Sequence, residues 1–248
     1  MEQEKKDVPQ PAGLSAFALK VIALASMTVD HIGAILVLPV RGFWAALPYR
    51  YIGRLAFPIY CFLLTEGFFH TGSRRRYLAR LLLFGIATEP IYDRVLYGGW
   101  VSWNNQNILF TLALGLLAMA ALERAARWVL GGPGRPVRAA LGAVFCAGLA
   151  VLFCLLAEGF HVSYGWQGML TILAYYFLRR WRWAAALGGA AVQFAENNFI
   201  QYGAAAAAVP IALYNGKKGK AMNKWLFYGY YPVHLAVLGL VFALSGSV

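Results

Sequence analysis

The stretch LSAFALKVIALASMTVDHIGAILVL, residues 14–38, decides the fold. Lys20, Asp30 and His31 are its only ionisable side chains, and about 20 predominantly apolar residues in a helix cross the hydrocarbon of a bilayer. The rest of the chain has the same character. Of 248 residues, 60% are hydrophobic and 13% charged, whereas an ordinary soluble domain carries roughly 25% charged residues. Mean hydropathy is +0.58, and aromatic side chains are abundant, with Phe 16, Trp 8 and Tyr 14. Disordered, collagen-like, coiled-coil and water-soluble classes are excluded by this balance. The fold class is all-α, a polytopic integral membrane protein.

Reading outward gives nine candidate spans: 14–38, 50–69, 77–92, 107–122, 139–157, 166–178, 183–195, 199–214 and 225–244. The sixth to eighth are short, so eight to ten crossings is the expected range. With the N-terminus in the cytoplasm, 18 of the 22 basic residues fall on the inner side, and only Arg41, Arg50, Arg54 and Arg94 fall outside. That bias is the positive-inside signature and predicts an N-in, C-out topology. It also explains the net charge of +12 without nucleic acid, because the cations are dispersed over separate loops. Residues 1–13 read as a polar cytoplasmic tail and 14–248 as one multi-span domain, the loop 131–138 being too short a linker to divide it. No signal-peptide cleavage site follows the first apolar run. Cys61, Cys146 and Cys154 lie in apolar runs and read as buried hydrophobes. No internal repeat is visible, and the Ala204–Ala208 run reads as a close-packing helix face.

Ionisable groups inside a bilayer are costly, about 2.5–3.5 kcal/mol each on insertion scales, and mark function by default. Here they are numerous: Asp30, His31, Arg54, Glu66, His70, Glu89, Asp93, Glu158, His161, Glu196 and His234, with the polar string Trp103–Asn107 and Tyr164, Gln193, Asn197 and Asn198 beside them. Most converge on the outer half. Lys20 and His31 stand eleven residues apart, within about 20° of one helix face and about 16 Å apart in depth, with Met27 between them. One stripe thus offers a cation near the cytosol, suited to a phosphate-bearing donor, and a deep imidazole suited to proton transfer. Plainer readings stand beside these. His234 can serve only as an interhelical hydrogen-bond partner, Lys20 can snorkel to headgroups, Arg74–Arg76 can be topology signals, and Glu158 and His161 can be wet loop residues. Most tryptophans near span ends read as an aromatic belt.

The segments LKVIALASMTVDHIGAIL (19–36), YIGRLAFPIYCFLLTEGFFHT (51–71), QNILFTLALGL (106–116), YGWQGML (164–170) and YPVHL (231–235) resemble the TraX family over about residues 14–240. That family comprises bacterial inner-membrane proteins named for the enzyme that N-acetylates conjugative pilin. The Lys20–His31 spacing also resembles the first helix of acyltransferase-3-type membrane acyltransferases. The resemblance implies an acetyltransferase that takes its acyl group from cytosolic acetyl-CoA. The implied acceptor is an amine or hydroxyl of an envelope peptide, glycan or small molecule.

On that reading His31 is the general base. Asp30, Glu66 or Glu89 orients and supports it, and Arg54 or the Asn/Gln string stabilises the oxyanion. Lys20 with some of Arg74, Arg75, Arg76 and Arg80 meets the CoA phosphates. Asn105, Gln106, Asn107, Tyr164 and His234 line a polar outer cavity. Ternary-complex and acetyl-histidine routes both remain open, as does the oligomeric state. No metal is expected, because zinc would recruit more His or Cys at fixed spacing. The rival readings are a proton-coupled small-solute transporter using the same polar residues, and a non-enzymatic assembly scaffold.

Overall fold

The computed structural model describes residues 12–130, 135–195 and 198–246. Residues 1–11 of the polar tail, with Lys5 and Lys6, the first half of the 131–138 linker, and Glu196 with Asn197 lie outside the described residues. Among the described residues the chain is helical and contains no strand. Four stretches are long and apolar enough to cross a membrane: Ala16–His70, Ile108–Val129, Ala140–Gly159 and Lys224–Leu244.

Helix α1 (Ala16–Ile32) starts where Ser15 accepts a hydrogen bond from the Ala18 amide, the usual role of serine at that position. It runs into a π-helical turn, Gly33–Val37, directly after the Asp30–His31 pair. Such turns occur frequently at functional sites. Gly33 is required there, since a Cβ would strike the Tyr49 side chain.

Residues 39–49, expected as an outer connection, are mostly helical. Helix α2 (Leu38–Gly53) turns back at Gly42, whose φ of 77° suits glycine, and descends along α1. Arg50, read as the outer end of the second span, lies inside this helix, and its charge is met by Asp30 of α1 at 2.8 Å. Ser26 of α1 donates to the Ile52 carbonyl, and at Gly53 a Cβ would collide with the Asp30 side chain. Small residues therefore let the two helices close around the carboxylate. After a break at Arg54–Leu55, α3 (Ala56–His70) continues the descent and supplies much of the core, including Phe57, Ile59, Cys61, Leu64 and Phe68.

Helix α4 (Arg74–Tyr97), capped by Ser73, and α5 (Ile108–Leu130) are joined through the polar 98–107 segment. Helix α6 (Arg135–Gly159) packs on α5 and α7 (Gly165–Leu178) and exposes Leu141, Val144, Phe145 and Leu155 outward. Helix α8 (Arg182–Gln193) leads to a 3₁₀ turn, Gln201–Ala207, and the short α9 (Ala208–Ala212). In the alanine run Ala204 and Ala207 are buried three residues apart, as the threefold 3₁₀ winding requires. The last helix, α10 (Lys224–Leu244), is capped by Asn223 and packs on α4, the π turn and α1. Backbone hydrogen bonds from Leu14, Ala16 and Phe17 to the carbonyls of Leu213, Lys217 and Lys218 tie the 213–218 loop to the start of α1.

Candidate functional site

One face of α1 runs through two cavities. Lys20, Leu24 and Met27 line the first, of about 540 Å³; Met27, His31, Ala34 and Leu38 line the second, of about 700 Å³. The steps of three and four residues are those of a single helix stripe. The cavities meet at four shared residues, Met27, Tyr60, Ile108 and Tyr231. At this junction the Tyr60 hydroxyl lies 3.8 Å from the Met27 sulfur.

The first cavity is lined by four basic side chains and by many apolar ones. Lys20, Arg80, Lys218 and Lys224 line it together with Glu66, His70, Leu63, Leu64 and Phe227. The Lys20 ammonium sits 5.2 Å from the centre of the Phe227 ring, and the Arg80 guanidinium stands 5.6 Å from Tyr77 and 6.0 Å from Tyr228. Of the four arginines expected here only Arg80 is in the wall. Arg74 is turned away to a two-pronged pair with Glu123, 3.0 Å on the longer side, and caps the Phe68 ring. Arg75 and Arg76 are exposed and stand outside the lining. Their places are taken by Lys218 and Lys224, whose signal was hidden in the charge of the last inner loop.

The second cavity is polar. Asp30, His31, Arg50, Arg54, Asn105, Glu158, His161, Tyr164 and Gln201 line it. Asp30 accepts from Arg50 at 2.8 Å and faces Arg54 at 3.9 Å, while Arg54 donates to the Tyr164 hydroxyl at 3.2 Å. Tyr164 stacks flat on Phe57, ring centres 3.7 Å apart. It precedes α7 with φ 65°, and His161 has φ 50°, a conformation that non-glycine residues adopt mainly where surrounding contacts hold them.

His31 does not meet any of the three acids expected to support it. Its Nδ1 lies 2.7 Å from His234 Nε2, the ring centres 4.9 Å apart and the ring planes inclined by 28°. His234 is buried behind His31 rather than in the cavity wall, and its Nδ1 is 2.8 Å from the Tyr230 carbonyl. Asp30 is engaged by Arg50. Glu66 belongs to the other cavity, held by Arg179 at 2.8 Å. Glu89 accepts from the Asn107 amide and side chain and stands outside the lining. Asn107 itself is an α5 cap, accepting from Leu109 N at 3.0 Å and donating to the Gly85 carbonyl. Gln106 pairs through its backbone with His161 and Ser163, so of the string 105–107 only Asn105 reaches the cavity, held by Tyr92 and Tyr97. Among the described residues no cluster of three or more His, Cys, Asp or Glu is arranged to hold a metal ion.

These features define a helical membrane protein with paired charges and a histidine in the wall of a polar cavity that shares four lining residues with a basic one. The chain belongs to the TraX family, whose model, described as TraX protein, matches residues 15–242. It is 32% identical to the probable fimbrial assembly protein FimC, serogroup H1, of Dichelobacter nodosus, over 90% of this chain and 94% of that one. It is also 30% identical, over 39% of this chain and 33% of that one, to the uncharacterized protein RP591 of Rickettsia prowazekii (strain Madrid E). No solved structure matches.

Proposed function

We propose that the protein is a membrane-embedded acyltransferase that carries an acetyl group from cytosolic acetyl-CoA to an amine or hydroxyl of an envelope-associated acceptor. A pilin-like peptide is the favoured acceptor, in keeping with the fimbrial assembly protein it resembles; a glycan or small molecule fits the same chemistry. The proposal includes nine crossings of the bacterial inner membrane with the N-terminus inside, which puts the basic cavity on the cytosolic side. The distant resemblance to acyltransferase-3-type enzymes, through Lys20 and His31, points the same way.

One observation carries this reading. A cavity lined by four cations and many apolar side chains shares Met27, Tyr60, Ile108 and Tyr231 with a polar cavity, and His31 lines the polar one. A nucleotide thioester suits the first: Lys20, Arg80, Lys218 and Lys224 meet its phosphates, and its pantetheine arm lies along Leu63, Leu64 and Phe227 toward the junction. The acceptor occupies the second. Its nitrogen or oxygen attacks the thioester carbonyl carbon as His31 removes its proton. The carbonyl oxygen takes negative charge beside Arg54. Charge returns, the carbon–sulfur bond breaks, and the CoA thiolate leaves with the proton from His31.

Two cavities opposed across one constriction also suit a proton-coupled transporter. Acetyl-CoA binding separates the readings. Purified protein in nanodiscs is expected to bind acetyl-CoA saturably, with Lys20→Ala and Lys218→Ala each weakening binding several-fold and Arg75→Ala leaving it unchanged. No binding at millimolar acetyl-CoA would refute the acyltransferase and favour transport.

A further inference from the structure

Two histidines that lie 203 residues apart in sequence form a hydrogen-bonded chain, and the direction of that chain follows from its end. The Tyr230 carbonyl can only accept, so His234 Nδ1, 2.8 Å away, carries a hydrogen. A neutral imidazole has one N–H, which leaves His234 Nε2 as a bare acceptor. His31 Nδ1 lies 2.7 Å from that acceptor and therefore donates to it. The remaining nitrogen of His31, Nε2, is then the one with a free lone pair, on a side chain that lines the polar cavity.

We propose that His234 is the positioning residue of this site: it accepts from His31 Nδ1 and so holds His31 in the tautomer whose Nε2 is the base. This deepens the acyltransferase reading and rests on it for the identity of the reaction. The anchor is local to α10, because Tyr230 and His234 are one helical turn apart and their rings stack at 5.1 Å. The Tyr230 hydroxyl is in turn 2.7 Å from Thr28 Oγ1 of α1, which fixes the two helices on either side of the histidine pair. Orientation of a catalytic imidazole by a hydrogen-bond acceptor at its second nitrogen is the general device of histidine bases. Here an imidazole fills the place more often taken by a carboxylate, and no further negative charge is buried in the membrane.

The test is the nitrogen-15 spectrum of histidine-labelled protein in nanodiscs, since the chain has only 4 histidines and protonated and bare ring nitrogens resonate far apart. In the wild type, His31 is expected to show a protonated Nδ1 and a bare Nε2. His234→Gln keeps a carbonyl acceptor and is expected to keep that tautomer, with thiol release within about tenfold of wild type. His234→Leu is expected to release the tautomer and lower turnover at least about 100-fold, the contribution of a general base, while acetyl-CoA affinity stays unchanged. A protonated Nε2 on wild-type His31 overturns the proposal, as does a His234→Leu protein with an unaltered His31 tautomer and wild-type turnover. If His234→Leu does not fold, the wild-type and His234→Gln spectra decide. If the wild type releases no thiol, the acyltransferase reading fails separately, and the tautomer still tests the hydrogen-bond chain.

Discussion

Replacing Asp30 by Asn is expected to destabilise the protein more than any loss of apolar contact at that position would. The carboxylate has Arg50 at 2.8 Å and Arg54 at 3.9 Å. At an effective dielectric near 20 these separations correspond to gross attractions of about 6 and about 4 kcal/mol. Much of that offsets the cost of holding three charges away from water. What remains on deletion is the penalty of two guanidiniums left facing each other, about 3–5 kcal/mol for a buried pair. The side chains retain 26% exposure for Arg50 and 16% for Asp30, so screening lowers the figure to about 2–3 kcal/mol. Arg50→Gln is expected to cost less, about 1–2 kcal/mol, because Arg54 still faces the carboxylate. The double variant is expected to fall short of the sum by more than about 1 kcal/mol. Reversible unfolding in mixed micelles, followed by tryptophan fluorescence, measures all three. An Asp30→Asn protein within about 0.5 kcal/mol of wild type, or strict additivity in the double variant, would refute the reasoning.

Gly53→Ala places a methyl group against the Asp30 side chain and is expected to cost about 1–3 kcal/mol in the same unfolding assay. Met27→Trp fills the junction between the cavities; it is expected to leave acetyl-CoA binding intact in calorimetry while abolishing thiol release. Asn107→Ala removes the α5 cap and the partner of Glu89 and is expected to lower stability by about 1–2 kcal/mol with no change in acetyl-CoA affinity.

The membrane class, the helical character and the placing of Asp30 and His31 in a helix among apolar side chains were readable from residues 14–38, because the cost of ionisable groups among apolar ones is a local property of sequence. The Lys20–Met27–His31 stripe followed from helix periodicity alone. What could not be read is what those groups touch. His234 stood out as a lone polar residue in an apolar span, but nothing local places it against His31 rather than against another helix. Arg50 read as the outer end of the span 50–69 because its partner lies on a different helix, and the helical stretch before it was not read. Lys218 and Lys224 were masked by a signal of another kind: cations that set orientation and cations that line a cavity are the same residues in the same loop. Conversely Glu89, Gln106 and Asn107 carried the composition of a site and are absorbed by a helix cap and a loop pairing, the commonest use of such side chains near a helix start. The π turn Gly33–Val37 has no sequence mark beyond Gly33.

The measurement that bears most directly on the central claim is thiol release from acetyl-CoA by the purified protein in nanodiscs, wild type against His31→Ala, with folding of both checked by circular dichroism. The account predicts slow release by the wild type, accelerated by an amine or hydroxyl acceptor, and a loss of at least about 100-fold in His31→Ala with acetyl-CoA still bound. A folded His31→Ala protein that binds acetyl-CoA and releases thiol at the wild-type rate would contradict it.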